Sequence, residues 1–218
     1  MDLLKLECRA LLLDLDGTLV DSAPRILRLW KDWAARNGVD FNTLVGLMHG
    51  RRGVDTLRLV APWLSAEQEN AALEAEEIAD MQDVHIYASA AELVAKLQGR
   101  PHAIVTSGSR RAAEARLRYV GLPFPTVLIT ADDVQAGKPA PDGYQLAARR
   151  LKMQPADCVV IEDSPAGVQA GKAASMRVIG VASTHKPEEL QEADAVVTQI
   201  GDIDLRAEGN AIELLIRR

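Results

Sequence analysis

The chain has 218 residues, 48% of them hydrophobic and 26% charged, and its formal net charge is −6. This composition is typical of a globular protein with a sizeable core, and the negative charge argues against nucleic acid or an anionic membrane surface as its partner. No apolar run approaches the roughly 20 residues that a membrane-spanning helix needs. Two cysteines do not indicate a disulfide framework, and the charged N-terminus does not resemble a signal peptide, so a cytoplasmic location is expected.

The first predicted strand is the apolar run 10–13, which ends in two aspartates separated by one leucine. Side chains two residues apart share one face of a strand, so the carboxylates of Asp14 and Asp16 are predicted to lie side by side. Burying two like charges is unfavourable unless a cation or a reaction requires them. A turn with capping aspartates would explain one acid and Gly17, but not both acids together with those found further along.

Helical patterns follow this strand. A helix with a proline in its first turn is predicted between Ser22 and Gly38. A second, acidic helix is predicted from Ser65 to Met81, with its glutamates facing solvent. Long connections of this kind are usually functional lids.

Strand and helix patterns alternate from about residue 89 to the last 15 residues, where 212–216 fits either a helix or a strand. Such alternation predicts an α/β fold with a parallel sheet covered by helices on both faces. We therefore predict an α/β core formed by 1–17 and 89–218, with a helical cap domain, 18–88, inserted into it. The predicted strands after the cap are 102–106, 127–130, 158–162, 178–181 and 195–197.

Polar residues follow four of the predicted strands. In an open parallel sheet ligands bind at the carboxyl ends of the strands, so these residues are expected to converge on one crevice. Acids, a lysine and small donors suit a hard divalent cation together with a phosphate. Residues 106–109 taken alone would be an ordinary helix N-cap. A function is indicated only by the polar residues after all four strands taken together. The set is Asp14, Asp16, Thr106, Ser107, Gly108, Lys138, Glu162 and Asp163.

These four motifs, in this order, resemble those of haloacid dehalogenase (HAD)-like superfamily phosphatases over essentially the whole chain. Residues 30–38, 48–51, 106–109 and 162–168 more narrowly resemble bacterial phosphatases of hexitol and hexose phosphates. The resemblance implies a Rossmann-like core with an inserted helical cap. It also implies a monomer that uses Mg²⁺ to hydrolyse small sugar or sugar-alcohol phosphates.

The resemblance implies a role for each acid of the set. Asp14 is expected to be the nucleophile that forms an aspartyl-phosphate. Asp16 is expected to protonate the leaving oxygen and then to activate the hydrolytic water. Asp14, the backbone carbonyl of Asp16, and Asp163 are the expected Mg²⁺ ligands. Glu162 is expected either to bind the metal or to hold a metal-bound water.

The remaining residues of the set are expected to bind substrate. Thr106, Ser107, Gly108 and Lys138 would hold the phosphate oxygens, and the lysine would also offset the crowded carboxylates. This group follows the family's second and third motifs.

Substrate choice is expected to depend on the cap. The basic loop at His49 and Arg51 resembles the family's substrate loop, although such a loop can equally be an exposed turn between helices. Glu77 and Trp30 or Trp33 are further candidates, each of which fits a surface or core position better.

Two alternatives stay open. A phosphosugar mutase of the β-phosphoglucomutase type shares the aspartyl-phosphate chemistry, but relatives commonly use a cap lysine, and none occurs between Asp32 and Ala95. The same absence disfavours phosphonate cleavage, and Asp16 disfavours dehalogenation. A non-catalytic phosphometabolite-binding protein would tolerate loss of a motif residue, and none is missing. The motifs are compatible with hexitol, hexose, deoxyhexose and glycerol phosphates.

Overall fold

The computed structural model describes residues 3–208 and 211–217. The strands are β1 (Leu3–Cys8), β2 (Ala10–Leu13), β3 (Val20–Asp21), β4 (His85–Ile86), β5 (His102–Val105), β6 (Val127–Ile129), β7 (Cys158–Glu162), β8 (Arg177–Val181), β9 (Ala195–Val197), β10 (Ile203–Glu208) and β11 (Ala211–Arg217). The α-helices are α1 (Ala23–Asn37), α2 (Phe41–Met48), α3 (Gly53–Val60), α4 (Ala66–Ala79), α5 (Ala88–Lys96), α6 (Arg110–Val120), α7 (Asp142–Leu151) and α8 (Pro165–Ala173).

A six-stranded parallel sheet forms the core, in the order β6-β5-β2-β7-β8-β9. β2 lies near its centre and is apolar throughout, as expected for a parallel strand that is buried on both faces. Leu12 packs into the hydrophobic cluster on one face, and Leu11 and Leu13 pack into the cluster on the other. The predicted α/β fold is confirmed.

A three-stranded antiparallel sheet, in the order β1-β11-β10, was not predicted. It joins the two ends of the described chain, with Leu4 opposite Ile216 and Leu214 opposite Leu205. Ile212, Leu214 and Ile216 alternate onto one buried face and pack into the core. The segment 212–216, left open between helix and strand, is therefore a strand.

Helices α1 to α4 form a separate layer, which we call the helical layer, with a hydrophobic cluster of its own. The chain enters and leaves this layer through β3 and β4, which pair with Val20 opposite Ile86. The predicted range 18–88 encloses these helices and both strands, and its status as a cap domain stays a prediction. Among the described residues, no helix combines the length and the apolar character that a membrane crossing requires.

Two details of the helical layer correct the sequence-based expectations. The Ser22 side chain makes no capping bond to α1, and its hydroxyl donates instead to Asp16. Not all glutamates of α4 face solvent: Glu77 is buried, and Glu69 accepts a hydrogen bond from Trp33 Nε1 at 2.7 Å. α4 therefore carries buried carboxylate contacts along with its solvated face.

Candidate active site

The predicted carboxylates meet at the carboxyl ends of the central strands. Asp14 directly follows β2, Glu162 ends β7, and Asp163 comes next. One oxygen from each of the three carboxylates lies within 4.8 Å of the others, and all three residues are buried. Since β2 and β7 pair in parallel with Leu13 opposite Ile161, the two ends lie at the same edge of the sheet.

Lys138 faces this acidic cluster from the connection between β6 and α7. Its ammonium group donates to Asp14 Oδ1 and to Glu162 Oε1, and its exposure is only 7%. Burial by itself would lower the pKa of Lys138, but the two carboxylates hold that pKa well above its usual value. The lysine is therefore charged, and one positive charge faces three buried carboxylates.

The single charge of Lys138 does not neutralise the three buried carboxylates of the cluster. Burial raises the pKa of Asp14 well above its usual range, although Lys138 opposes the shift. Burial and the Glu162 charge raise the pKa of Asp163 to about 8. A cation placed between these two side chains would stabilise their ionised forms. The donor set thus fits a hard divalent metal.

Glu162 already has a full set of protein donors. Lys138 and the Tyr144 hydroxyl donate to Oε1, while the backbone amides of Asp163 and Ser164 and the Ser164 hydroxyl donate to Oε2. Burial would raise the pKa of Glu162, but these donors, chiefly Lys138, lower it. Asp14 and Asp163 have more oxygen lone pairs available for a metal.

Gly17 lets the loop after β2 pass close to Asp163. Its φ is +88°, in the region that favours glycine, and a Cβ built there would overlap Asp163 Oδ2 and crowd Thr184. Any larger residue at this position would have to displace a side chain of the acidic cluster.

Asp16 lies beside the cluster but has different partners. Ser22 donates to its Oδ1 at 2.8 Å, and Arg116 Nη1 donates to its Oδ2 at 2.8 Å. The Thr106 hydroxyl also reaches Oδ2, at 3.3 Å. Among the described residues, the group of carboxylates suited to a metal holds Asp14, Glu162 and Asp163 but not the Asp16 side chain.

Three of the four residues expected to hold phosphate, Thr106, Ser107 and Gly108, lie at the end of β5. The Thr106 hydroxyl accepts a hydrogen bond from the Gly108 amide at 3.0 Å, and the Ser107 hydroxyl donates to the Gly50 carbonyl of the helical layer at 2.7 Å. Ser109 caps α6 by accepting from the Ala112 amide. The hydroxyl groups of this turn therefore contact both Asp16 and the helical layer.

A cavity of about 300 Å³ lies between the core and the helical layer, and residues of both line it. The sheet edge contributes three of the four predicted acids and the predicted phosphate-binding residues at the end of β5 to its wall. Lys138 and Glu162 do not line the cavity, although Lys138 donates to Asp14, which does. The helical layer contributes both predicted substrate-loop residues and Trp30, whereas Trp33 lies elsewhere. The predicted residues that line the cavity are Asp14, Asp16, Trp30, His49, Arg51, Glu77, Thr106, Ser107, Gly108 and Asp163.

Comparison with known proteins agrees with this geometry. The sequence model of the haloacid dehalogenase-like hydrolases matches residues 8–175, which is most of the chain. The chain belongs to the haloacid dehalogenase-like hydrolase family. The predicted family is thereby confirmed.

The hydrolase resembles several characterised relatives over most of its length. It is 39% identical over 210 residues to hexitol phosphatase A of Escherichia coli, and the alignment covers 94% of this chain and 97% of the relative. It is 34% identical to glycerol-1-phosphate phosphohydrolase 2 of Saccharomyces cerevisiae, covering 87% of the chain and 80% of the relative. The crystal structure of CbbY from Rhodobacter sphaeroides in complex with phosphate superposes with a TM-score of 0.78 at 27% identity, covering 89% and 96% of the two chains.

Two residues that contact Asp16 in the hydrolase's site were not predicted from sequence as site residues. Arg116 and Ser22 both donate hydrogen bonds to Asp16. In the sequence, Arg116 has the position of an ordinary helical arginine and Ser22 has that of a helix N-cap. His49 does enter the cavity wall, and its ring lies 5.1 Å from the ring of His185 in the core. Burial, together with His185, lowers the pKa of His49.

Proposed function

We propose that this hydrolase is a Mg²⁺-dependent phosphatase that acts on small sugar or sugar-alcohol phosphates through an aspartyl-phosphate on Asp14. The observation that carries the proposal is the buried cluster of three carboxylates and one lysine, of which Asp14 and Asp163 line a cavity of about 300 Å³. The relatives named as hexitol and glycerol-1-phosphate phosphatases support the substrate class.

A divalent cation fits the proposed site because Asp14 and Asp163 are buried acids whose raised pKa values signal a lack of positive charge. These two carboxylates and the backbone carbonyl of Asp16 would hold the ion. Glu162 would act through Lys138 or through a water, since protein donors already occupy both its oxygens. When bound, the ion supplies charge neutralisation to the phosphoryl group.

The residues of the chain would carry out two phosphoryl transfers. A carboxylate oxygen of Asp14 attacks phosphorus, the bond from phosphorus to the sugar oxygen breaks, and Asp16 gives that oxygen a proton. Asp16 then takes a proton from a water that attacks phosphorus, so that phosphate leaves and the Asp14 carboxylate is restored. Thr106, Ser107, Gly108 and Lys138 would hold the phosphate oxygens during both steps.

The helical layer would act as the cap, residues 18–88, over a core of 1–17 and 89–218. With Arg51 and His49 in the cavity wall, it would bind the sugar part of the substrate and keep bulk water from the aspartyl-phosphate. We further propose that the protein works as a cytoplasmic monomer with no nucleic-acid or membrane partner.

Phosphate release from a panel of hexitol, hexose, deoxyhexose and glycerol phosphates tests the proposal. Wild-type protein with Mg²⁺ is expected to release phosphate, and a metal chelator or the Asp14→Asn substitution is expected to abolish release. Because Asn is close in size to Asp, unfolding is not expected, and circular dichroism would check this. Wild-type protein that releases no phosphate from any substrate would contradict the proposal and favour a mutase or a binding protein.

A further inference from the structure

Arg116 on α6 joins the proposed acid–base residue to the helical layer. Its Nη1 donates to Asp16 Oδ2 at 2.8 Å, and its Nη2 donates to Glu77 Oε1 on α4. The guanidinium therefore bridges two carboxylates that belong to different layers of the protein. Arg116 also lines the cavity between these layers.

The bridge is buried, unlike most ion pairs of the chain. The Arg116 side chain is only 4% exposed, and that of Glu77 is 11% exposed. Burial would lower the pKa of Arg116, but the charges of Asp16 and Glu77 raise it, so the guanidinium stays charged. Such a desolvated arginine fork fixes the direction of its carboxylate partners more tightly than a surface pair does.

The other partners of Asp16 do not fix its orientation as firmly. The Ser22 hydroxyl can rotate and either donate or accept, and the Thr106 hydroxyl reaches Asp16 only at 3.3 Å. Arg116 has only donors in a rigid plane. Its Nε is a buried donor with no hydrogen-bond partner in the described part of the chain, so the Asp16 and Glu77 bonds are what hold the guanidinium in place.

We propose that Arg116 is a positioning residue, which holds Asp16 for proton transfer to the sugar oxygen and ties that position to closure of the helical layer through Glu77. This inference rests on the proposed phosphatase function. When the layer moves away from the core, Arg116 loses Glu77 and is free to turn from Asp16. Efficient proton transfer is therefore restricted to the closed arrangement.

The leaving group of the substrate separates this role from a merely structural one. A sugar or polyol oxygen is a poor leaving group that needs a proton from Asp16, whereas the nitrophenolate of p-nitrophenyl phosphate leaves without one. The value of kcat/KM reports the steps up to loss of the leaving group. Mispositioning Asp16 must therefore lower kcat/KM more for the polyol phosphate than for the aryl phosphate.

The experiment measures kcat/KM on glycerol phosphate or a hexitol phosphate, whichever wild-type protein hydrolyses faster, and on p-nitrophenyl phosphate. Arg116→Met is expected to lower the polyol-phosphate value about 100-fold and the aryl-phosphate value less than about 10-fold. Arg116→Lys is expected to regain about 10-fold on the polyol phosphate, because an ammonium can still donate to Asp16. Thermal melting of each variant reports folding separately.

Glu77→Gln tests the link to the helical layer, with Glu76→Gln as the matched control. Glu76 is the neighbouring residue of α4 and pairs with Arg36 at the surface. Glu77→Gln is expected to lower the polyol-phosphate kcat/KM about 10-fold with little change on the aryl phosphate, and the control to stay within about 2-fold on both. Glu77→Gln keeps the shape of the buried side chain, so it tests the proposal even if Arg116→Met does not fold.

Equal losses on both substrates, or no loss for folded Arg116→Met and Arg116→Lys, would overturn the proposal. So would equal effects of the Glu77 and Glu76 substitutions. Wild-type protein that is inactive on both substrates would instead contradict the proposed function itself, so the two failures are distinguishable.

Discussion

Replacing Lys138 with Met would remove the positive charge of the buried acidic cluster while keeping a side chain of similar length. Lys138 donates to Asp14 and to Glu162, and Glu162 is fully buried. Without the ammonium group, Glu162 must either stay ionised without its strongest partner or take up a proton on folding. Both outcomes lower the free energy of unfolding at neutral pH.

The size of the effect follows from the burial of the group. Removing one partner of a buried, hydrogen-bonded ion pair lowers the free energy of unfolding by about 3–5 kcal/mol. For a chain of this size each kcal/mol shifts Tm by about 2–4 °C, which gives a fall of roughly 6–20 °C. Adding Glu162→Gln to Lys138→Met removes the uncompensated charge, so the double variant is expected to lose less than the sum of the two single variants.

The pH dependence of the effect has a definite sign. Lys138 helps to hold the pKa of Glu162 below its ordinary value of 4.5 in the folded protein, so the contribution of this contact is complete above pH 4.5 and declines as the pH falls further. The stability gap between wild type and Lys138→Met is therefore largest at pH 7 and narrows in acid. Urea unfolding with a metal chelator present measures the gap, and a value below about 1 kcal/mol at pH 7 would refute the reasoning.

Three further predictions concern the loops around the site. Gly17→Ala is expected to lower the free energy of unfolding by about 1–3 kcal/mol in urea and to reduce phosphate release, because its Cβ overlaps Asp163; an unchanged midpoint would contradict this. Mg²⁺ is expected to raise the Tm of wild type but much less that of Asp163→Asn, and equal shifts would exclude Asp163 as a ligand. Asp133 accepts hydrogen bonds from the Thr130 amide and hydroxyl. Burial would raise the pKa of Asp133, but these hydrogen bonds lower it, so their contribution to the free energy of unfolding is lost as the pH falls below 3.8. Asp133→Asn should therefore lower the unfolding free energy by about 1 kcal/mol at pH 7 and by less at pH 3, as urea unfolding at both pH values would show.

The central sheet was predictable because its strands are short, continuous apolar runs separated by capped helices. The convergence of the site followed from the topology, since parallel strands bring their carboxyl ends to one edge. The sheet β1-β11-β10 was not predictable in the same way. Its strands pair across about the whole chain, with Leu3 opposite Arg217, and no local pattern encodes such a partner.

The contacts of Asp16 show a second limit of sequence patterns. Arg116 has the spacing of any polar residue in an amphipathic helix, and its partner Glu77 has the appearance of a solvated glutamate in an acidic helix. Their pairing depends on how α4 packs against α6, which is a tertiary property. The motif acids could be found because strand ends mark them, and the residues that orient them carry no such mark.

Mapping the phosphorylated residue after an acid quench tests the central claim most directly. The protein is mixed with Mg²⁺ and a polyol phosphate that it hydrolyses, and the reaction is quenched in acid within the first turnover. The quenched protein is then digested, and its peptides are sequenced by mass spectrometry. We expect one added phosphoryl group on Asp14 and none in Asp14→Asn. A phosphoryl group on another residue, or none in an enzyme that shows turnover, would contradict the aspartyl-phosphate mechanism at this site.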